Sequence, residues 1–332
     1  MAEFRKDPVT ALWVIVAPER EQRPKPGKLT EATSEPGPCP FCSGNEGDTP
    51  PEVFAYRATG TLPDQPGWSI RVVPNRYPAL NSLNDVRQQS SSFYEAMPAQ
   101  GVHEVIVESP AHLENISTLD EAQFTRIISA YHQRMAKLSS DSRWRSLLLI
   151  KNQGIAAGGS LLHVHSQLIA MPMIPPRLES EVNGAKAYYD LRGCCIYCAM
   201  IVEEISSSTR VVSVDSDYLA FCPYASRVPY ETWILPRRHA ACFESAAPED
   251  GARFARRLRE TLRRIDQALD SPLFNYVIHS GPPHQGETPF YHWHIEILPR
   301  LIQIGGFEWG SGSYINTVRP EDAARLLRQV AL

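Results

Sequence analysis

The stretch NQGIAAGGSLLHVHSQLIAMP, residues 152–172, decides how the rest of the chain is read. It runs from a glycine-rich approach into an alternating apolar segment, with His163 and His165 two residues apart at the segment's head. Side chains on a strand alternate with period two, so both imidazoles are expected on one face. A second stretch, HWHIEILPR at 292–300, repeats the pattern of His-x-His, alternating apolar residues and then Pro. Two such segments in one chain call for a search for the rest of a repeat.

The repeat extends upstream. HEVIVESPAH, His103–His112, can be laid on YETWILPRRH, Tyr230–His239; each alternates like a strand, meets Pro and ends in His. Next comes a helical pattern. In the first copy it spans Thr118–Leu138, with Phe124, Ile127, Ile128, Tyr131, Met135 and Leu138 on one face and a capping box expected from Thr118 and Glu121. In the second copy Phe254, Leu258, Leu262, Ile265 and Leu269 mark the corresponding face. Short apolar strands, Leu147–Ile150 and Phe274–Ile278, follow the helices and lead into the His-x-His strands. A CxxC precedes each set, Cys39/Cys42 and Cys195/Cys198.

This order supplies two sets of four ligands: Cys39, Cys42, His112 and His163, then Cys195, Cys198, His239 and His292. Two thiolates from a CxxC plus two imidazoles is a common tetrahedral zinc set, so two Zn2+ ions per chain are expected. A lone CxxC reads equally well as a redox dithiol, but two pairs with matching histidines favour metal. With His163 on a metal, His165 keeps a free ring on the same face, suited to act as a nucleophile. The glycines of NQG and GGS could line a phosphate with backbone amides. The second copy has GPPHQGETPFY there, whose prolines remove donors, so only the first copy looks equipped for phosphate chemistry. His103, His132, His279 and His284 read as structural or surface histidines.

The 332 residues are long enough for two globular units. With 43% apolar and 21% charged residues and a net charge of -4, the chain is globular and has no overall basic field for nucleic acid or an anionic membrane. No apolar run approaches the roughly 20 residues of a membrane span, and the N-terminal run lacks a signal-peptide cleavage site, so a cytoplasmic protein is expected. Its seven cysteines fit that reading. Asn84–Pro98 reads as a mobile surface loop inserted in the first copy, and Pro175–Ala187 as the connection between halves. The halves are expected at 1–173, with the nucleophile and the first zinc set, and at 174–332, with the second.

Taken together, DPVTALWVIVAPEREQRP, CPFC, VVPNRYPAL, the SPAH ending at His112, NQGIAAGGSLLHVHSQ, and HWHIEILPR with the later GGFEWGSGSYIN resemble the galactose-1-phosphate uridylyltransferase branch of the histidine triad (HIT) superfamily. The resemblance spans nearly the whole chain. It implies an α+β, duplicated HIT-like fold of two curved antiparallel sheets flanked by helices, assembled as a homodimer. It also implies a two-step transfer in which a histidine is nucleotidylated and then passes the nucleotide to a second phosphate. On that match His165 is the nucleophile, and Gln167 stands where hydrolytic members carry a third histidine. A glutamine can hydrogen-bond a phosphate but shuttles no proton at neutral pH, which favours transfer over hydrolysis. Arg20, Arg23, Asn75, Asn152, Gly158 and Ser160 match nucleotide and phosphate contacts, and Glu308 matches a carboxylate for sugar hydroxyls. The expected partners are a nucleotide sugar and a hexose-1-phosphate or inorganic phosphate. The first reading is UDP-glucose with galactose-1-phosphate; the second is phosphorolysis of ADP-glucose by a sister group.

Overall fold

The computed structural model describes residues 2–6, 13–16, 38–80, 89–90, 93–246, 248–284 and 288–332. Its strands are β1 (Glu3–Lys6), β2 (Trp13–Val16), β3 (Phe54–Arg57), β4 (Trp68–Pro74), β5 (Gln89–Ser90), β6 (Glu95–Pro98), β7 (Val102–Val107), β8 (Ser146–Gln153), β9 (His165–Met171), β10 (Val211–Val214), β11 (Tyr218–Phe221), β12 (Thr232–Pro236), β13 (Phe274–His279) and β14 (His294–Pro299). The helices are α1 (Glu121–Ser139), α2 (Pro176–Arg192), α3 (Ile196–Ser207), α4 (Pro248–Ala268), α5 (Gly306–Ser311) and α6 (Pro320–Gln329).

The fold is α+β, with helices against antiparallel sheets. Each repeat contributes five strands, ordered β3-β4-β7-β9-β8 in the first and β10-β11-β12-β14-β13 in the second. Antiparallel pairing of β8 with β13, from Phe274 opposite Gln153 to His279 opposite Leu148, joins them edge to edge into one ten-stranded sheet. That junction buries an edge each half would otherwise expose. A second, four-stranded sheet, β2-β1-β6-β5, packs Phe4 and Ala2 against Leu80, Ala99 and Met171. Strand β6 takes up part of the Asn84–Pro98 segment read as a loop, because Glu3–Arg5 of β1 offer it an open edge; residues 84–88 and 91–92 lie outside the described ones.

Helices α1 and α4 pack together on one face of the large sheet. Phe124, Ile127, Ile128, Tyr131, Met135 and Leu138 are all buried, as are Phe254, Leu258, Leu262 and Ile265, so helical spacing located both core faces. The start of α1 differs from the expected capping box. Asp120 is the cap, accepting from the Gln123 N–H at 2.7 Å, and Thr118 closes a preceding 3-10 turn by donating to the Asn115 carbonyl. An aspartate one residue before the first helical turn also favours the positive end of the helix dipole. The expected connection Pro175–Ala187 is mostly helix: α2 begins on Pro176, whose missing N–H costs nothing at a first turn, and ends at left-handed Gly193.

Beneath α1 the sheet buries a polar network. Lys151 donates to Glu108 at 2.5 Å and to the His165 carbonyl at 3.0 Å; Tyr131 and Ser166 donate to the other Glu108 oxygen. Burial pulls the Lys151 amine down, opposed by the Glu108 carboxylate beside it. Removing one partner of a buried ion pair leaves the other charge uncompensated, so Lys151→Met is expected to lower the free energy of unfolding by about 3–5 kcal/mol. Urea denaturation measures it; a loss under about 1 kcal/mol would mean that Glu108 is not held as an anion.

Candidate active site and metal centres

The opposite face of the sheet carries the candidate site. The turn holding Cys39 and Cys42 is closed by the Cys42 N–H on the Cys39 carbonyl at 3.1 Å and braced by the Asn45 side chain on that carbonyl at 2.8 Å. It meets the segment just ahead of β9. There the four expected ligands converge, with one donor atom from each of Cys39, Cys42, His112 and His163 within 4.8 Å of the others. Cys39 Sγ stands 3.6 Å from His163 Nδ1, and Cys42 Sγ stands 3.5 Å from His112 Nδ1 and 3.7 Å from His163 Nδ1. A tetrahedral zinc with ordinary bond lengths sets S and N about 3.5 Å apart, so the spacing fits.

The second set repeats it. Cys195 caps α3, and Cys198 Sγ lies 3.4 Å from His239 Nδ1 and 3.6 Å from His292 Nδ1. In both sets the central histidine uses its far nitrogen on a carbonyl, His163 Nε2 to Ser109 and His292 Nε2 to Pro236, each at 2.8 Å. Such outer bonds fix the tautomer and aim Nδ1 at the cation. The donor sets, their spacing and these second partners all suit a closed four-ligand metal centre, and the chain has two such candidate sites.

His165 opens β9, while His163 precedes the strand rather than lying in it. Phe41, from the first CxxC turn, packs edge-to-face with both rings, at centroid distances of 6.1 and 5.2 Å. His165 Nδ1–H donates to the His163 carbonyl at 2.7 Å. That bond places the proton on Nδ1 and leaves the Nε2 lone pair without a partner among the described residues. Burial holds the ring down at about 4, so it is neutral and nucleophilic at physiological pH. The ring borders a cavity of 320 Å³ lined also by Phe41, Asn75, Ser160, Leu161 and Gln167, a size suited to a small ligand. A wider cleft of 780 Å³ opens beside His239 in the second half, but His294 does not line it.

The glycine turn stands one step behind this cavity. Gly158 has φ +89°, and a Cβ on Gly159 would come within 2.9 Å of the Gly154 carbonyl, so both positions require glycine. The amides of Ala157, Gly158 and Gly159 all donate within the turn, to Gly154 or Ile155 carbonyls. The turn therefore shapes the cavity wall and presents Ser160, rather than offering these amides to a ligand. Asn152 accepts from Asn275 at 2.6 Å, and Asn275 also donates to the Ala157 carbonyl and accepts from Arg300. The second half thus braces the glycine turn of the first. Glu308 lies on α5 with its carboxylate on the Gly305 N–H and does not line the cavity. Arg20 and Arg23 fall outside the described residues.

His294, the counterpart of His165, is sealed. Its ring is fully buried and stacks with Trp233 and His279, both at 4.9 Å, and its Nε2 has no hydrogen-bond partner among the described residues, with the Glu296 carboxylate 3.9 Å away. Around it lies an ion cluster that the repeat pattern did not flag. His279 bonds Glu181 at 2.9 Å and lies 3.5 Å from Glu296, while Arg227 bonds Glu296 at 2.5 Å. Burial pulls His279 down, but the two carboxylates outweigh it and hold the imidazole up at about 9. A cavity of 220 Å³ borders this cluster, lined by Arg227, His279 and Glu296, but His294 itself does not line it. His103 was also passed over in sequence; it is buried and bonds Gln167 at 2.7 Å. The strand alternation that puts residues 103, 105 and 107 on one face of β7 was a usable signal for it.

The chain is thus a duplicated α+β unit with paired CxxC/His ligand sets and one histidine beside a cavity. The sequence profile of the galactose-1-phosphate uridyl transferase N-terminal domain matches residues 1–175, and the chain belongs to the galactose-1-phosphate uridylyltransferase family, a family of nucleotidyltransferases. It is 35% identical to an ADP-glucose phosphorylase of Arabidopsis thaliana over 99% of this chain and 93% of that protein. It is 27% identical to a galactose-1-phosphate uridylyltransferase of Thermotoga maritima, over 99% and 98% respectively. The crystal structure of the Arabidopsis ADP-glucose phosphorylase with bound ADP-glucose superposes with a TM-score of 0.78 at 33% identity, covering 100% of both chains.

Since a closed metal centre contributes its binding energy to folding, Cys39→Ser and Cys195→Ser are each expected to lower the melting temperature and to remove one metal equivalent of two. Elemental analysis of the purified variants measures this. A fully folded chain without metal would overturn the assignment of both centres.

Proposed function

We propose that the chain moves a nucleoside monophosphate between phosphates by way of a nucleotidyl-His165 intermediate. The observation that carries this reading is the His165 ring, neutral, with its proton fixed on Nδ1 and its Nε2 free at the cavity. Nε2 attacks the α-phosphorus of a nucleotide sugar; an N–P bond forms, the P–O bond to the sugar phosphate breaks, and the sugar phosphate leaves with that electron pair. The ring then carries positive charge, which the Nδ1–H bond to the His163 carbonyl stabilises. A second phosphate oxygen attacks, and the N–P bond breaks to restore His165. Ser160, Gln167 and Asn75 are the phosphate and nucleotide contacts at the cavity. Arg20, Arg23 and Glu308 complete the assignment from the family resemblance, while Asn152 and Gly158 act through the turn that presents Ser160.

Zinc is the metal we assign to both centres, on the mixed thiolate and imidazole donors; when bound, it holds four ligands and leaves no open position for substrate. We also propose a homodimer. For the donor, UDP-glucose with galactose-1-phosphate is supported by the matched family profile and the Thermotoga relative. ADP-glucose with inorganic phosphate is supported by the 35% identity to the Arabidopsis phosphorylase. Incubation with each nucleotide sugar, followed by intact-protein mass spectrometry, separates them by the mass of the nucleotide attached. His165→Ala is expected to give no adduct with either, with metal content retained. His294→Ala, at the sealed site, is expected to retain adduct formation, and an adduct lost equally in both folded variants would displace His165 as nucleophile.

Gln167 offers no proton shuttle, so the intermediate is expected to await a second phosphate and initial rates to give the parallel lines of a ping-pong reaction. Gln167→His is expected to raise the ratio of free nucleoside monophosphate to transfer product. Release of monophosphate by the unaltered chain faster than transfer to any acceptor would replace the transferase reading with a hydrolase.

A further inference from the structure

Between Asn75 and Gln167 lies the imidazole of His103, on β7, diagonally across from Gln167 on β9. Its bonding decides which way the Gln167 amide faces. The Ala79 N–H donates to His103 Nδ1 at 3.1 Å, so that nitrogen is the acceptor and the neutral ring carries its proton on Nε2. Asn75 Nδ2 stands 3.1 Å from the same Nε2, but the Tyr77 N–H occupies Asn75 Oδ1, so Asn75 turns a donor to the ring and cannot take its proton. Gln167 Oε1, at 2.7 Å, accepts it.

We infer that His103 is a positioning residue that holds Gln167 Oε1 and so presents the Gln167 amide NH2 to the cavity. A primary amide bound through its oxygen has only donors left at its other end. Among the described residues no group accepts from Gln167 Nε2, and Gln167 lines the cavity beside His165. The end of Gln167 left for a ligand therefore complements an anionic phosphate oxygen. Turned the other way, the amide would set its oxygen against that anion. The inference rests on the nucleotidyl-transfer reading for its consequence, but the tautomer and the amide orientation stand on the hydrogen bonds alone.

The test uses the full-length, metal-loaded protein. Proton–nitrogen correlation spectra of 15N-histidine-labelled protein, with the His103 signals assigned by their loss in His103→Gln, are expected to show a neutral ring protonated on Nε2. A ring protonated on Nδ1 overturns the inference, whether or not the chain proves to be a nucleotidyltransferase. In kinetics, His103→Leu removes the donor and is expected to slow formation of the nucleotidyl-histidine roughly 10-fold, a fraction of what direct loss of an anion-stabilising donor costs. His103→Gln, which can place an amide N–H near the same point, is expected to restore most of that rate. The same Leu substitution in a Gln167→Ala background is expected to change nothing further, because the group it positions is already gone. An equal loss in both backgrounds, or a folded His103→Gln as slow as His103→Leu, would make His103 a packing residue and overturn the assignment. If the unaltered chain forms no adduct with either nucleotide sugar, the reaction reading fails instead, and the tautomer still decides the His103 inference.

Discussion

His163 is the residue on which the rest of the site depends, because each of its polar groups has a separate task. Nδ1 faces the thiols of Cys39 and Cys42, Nε2 is fixed on the Ser109 carbonyl, and the backbone carbonyl takes the Nδ1 proton of His165. The CxxC/His cluster and the His165 ring are thereby one mechanical unit. A shift of the CxxC turn moves His163, and with it the acceptor that selects the His165 tautomer. Lys151 holds the His165 carbonyl from the other side of the sheet, with Glu108 as its counter-charge, so the His165 backbone is pinned from both faces.

The duplicated fold divides labour that a symmetric repeat would share. In the first half Phe41 packs edge-to-face with His163 and His165, and a cavity lies beside them. In the second, Tyr197 occupies the position of Phe41 and stacks on His294 at 5.1 Å, while Trp233 and His279 close the ring in. Glu296 replaces Gln167 and draws Arg227 and His279 into a buried ion cluster. That second half still serves the first, since Asn275 and Arg300 brace the glycine turn across the junction of β8 with β13. Both halves keep a CxxC/His ligand set, and each set ties a CxxC turn to a sheet end.

Much of this was legible in the sequence. The repeat of Cys, Cys, His, His-x-His located both ligand sets, because tetrahedral coordination restricts donor type and number. Helical periodicity located the buried faces of α1 and α4, because burial selects apolar side chains at every turn. The unequal glycine content of the two copies singled out the half with the open histidine. Other features were misread for physical reasons. Thr118 and Asp120 are both good caps, and only the position of the preceding 3-10 turn chose between them. The amides of the glycine stretch looked available for phosphate, yet the turn closes on its own carbonyls.

What the sequence determined by itself was therefore local or combinatorial: ligand sets, apolar faces, the family pattern and the asymmetry between copies. Only the tertiary structure decided that β8 and β13 fuse the halves into one sheet, since an open edge states no partner. It alone buried His294 among aromatic rings while leaving His165 at a cavity, although both stand second in a His-x-His. It alone brought His103 to Gln167, 64 residues away along the chain. A hydrogen bond constrains angle and distance between two atoms, and neither is written in the spacing of residues that meet only when strands pair.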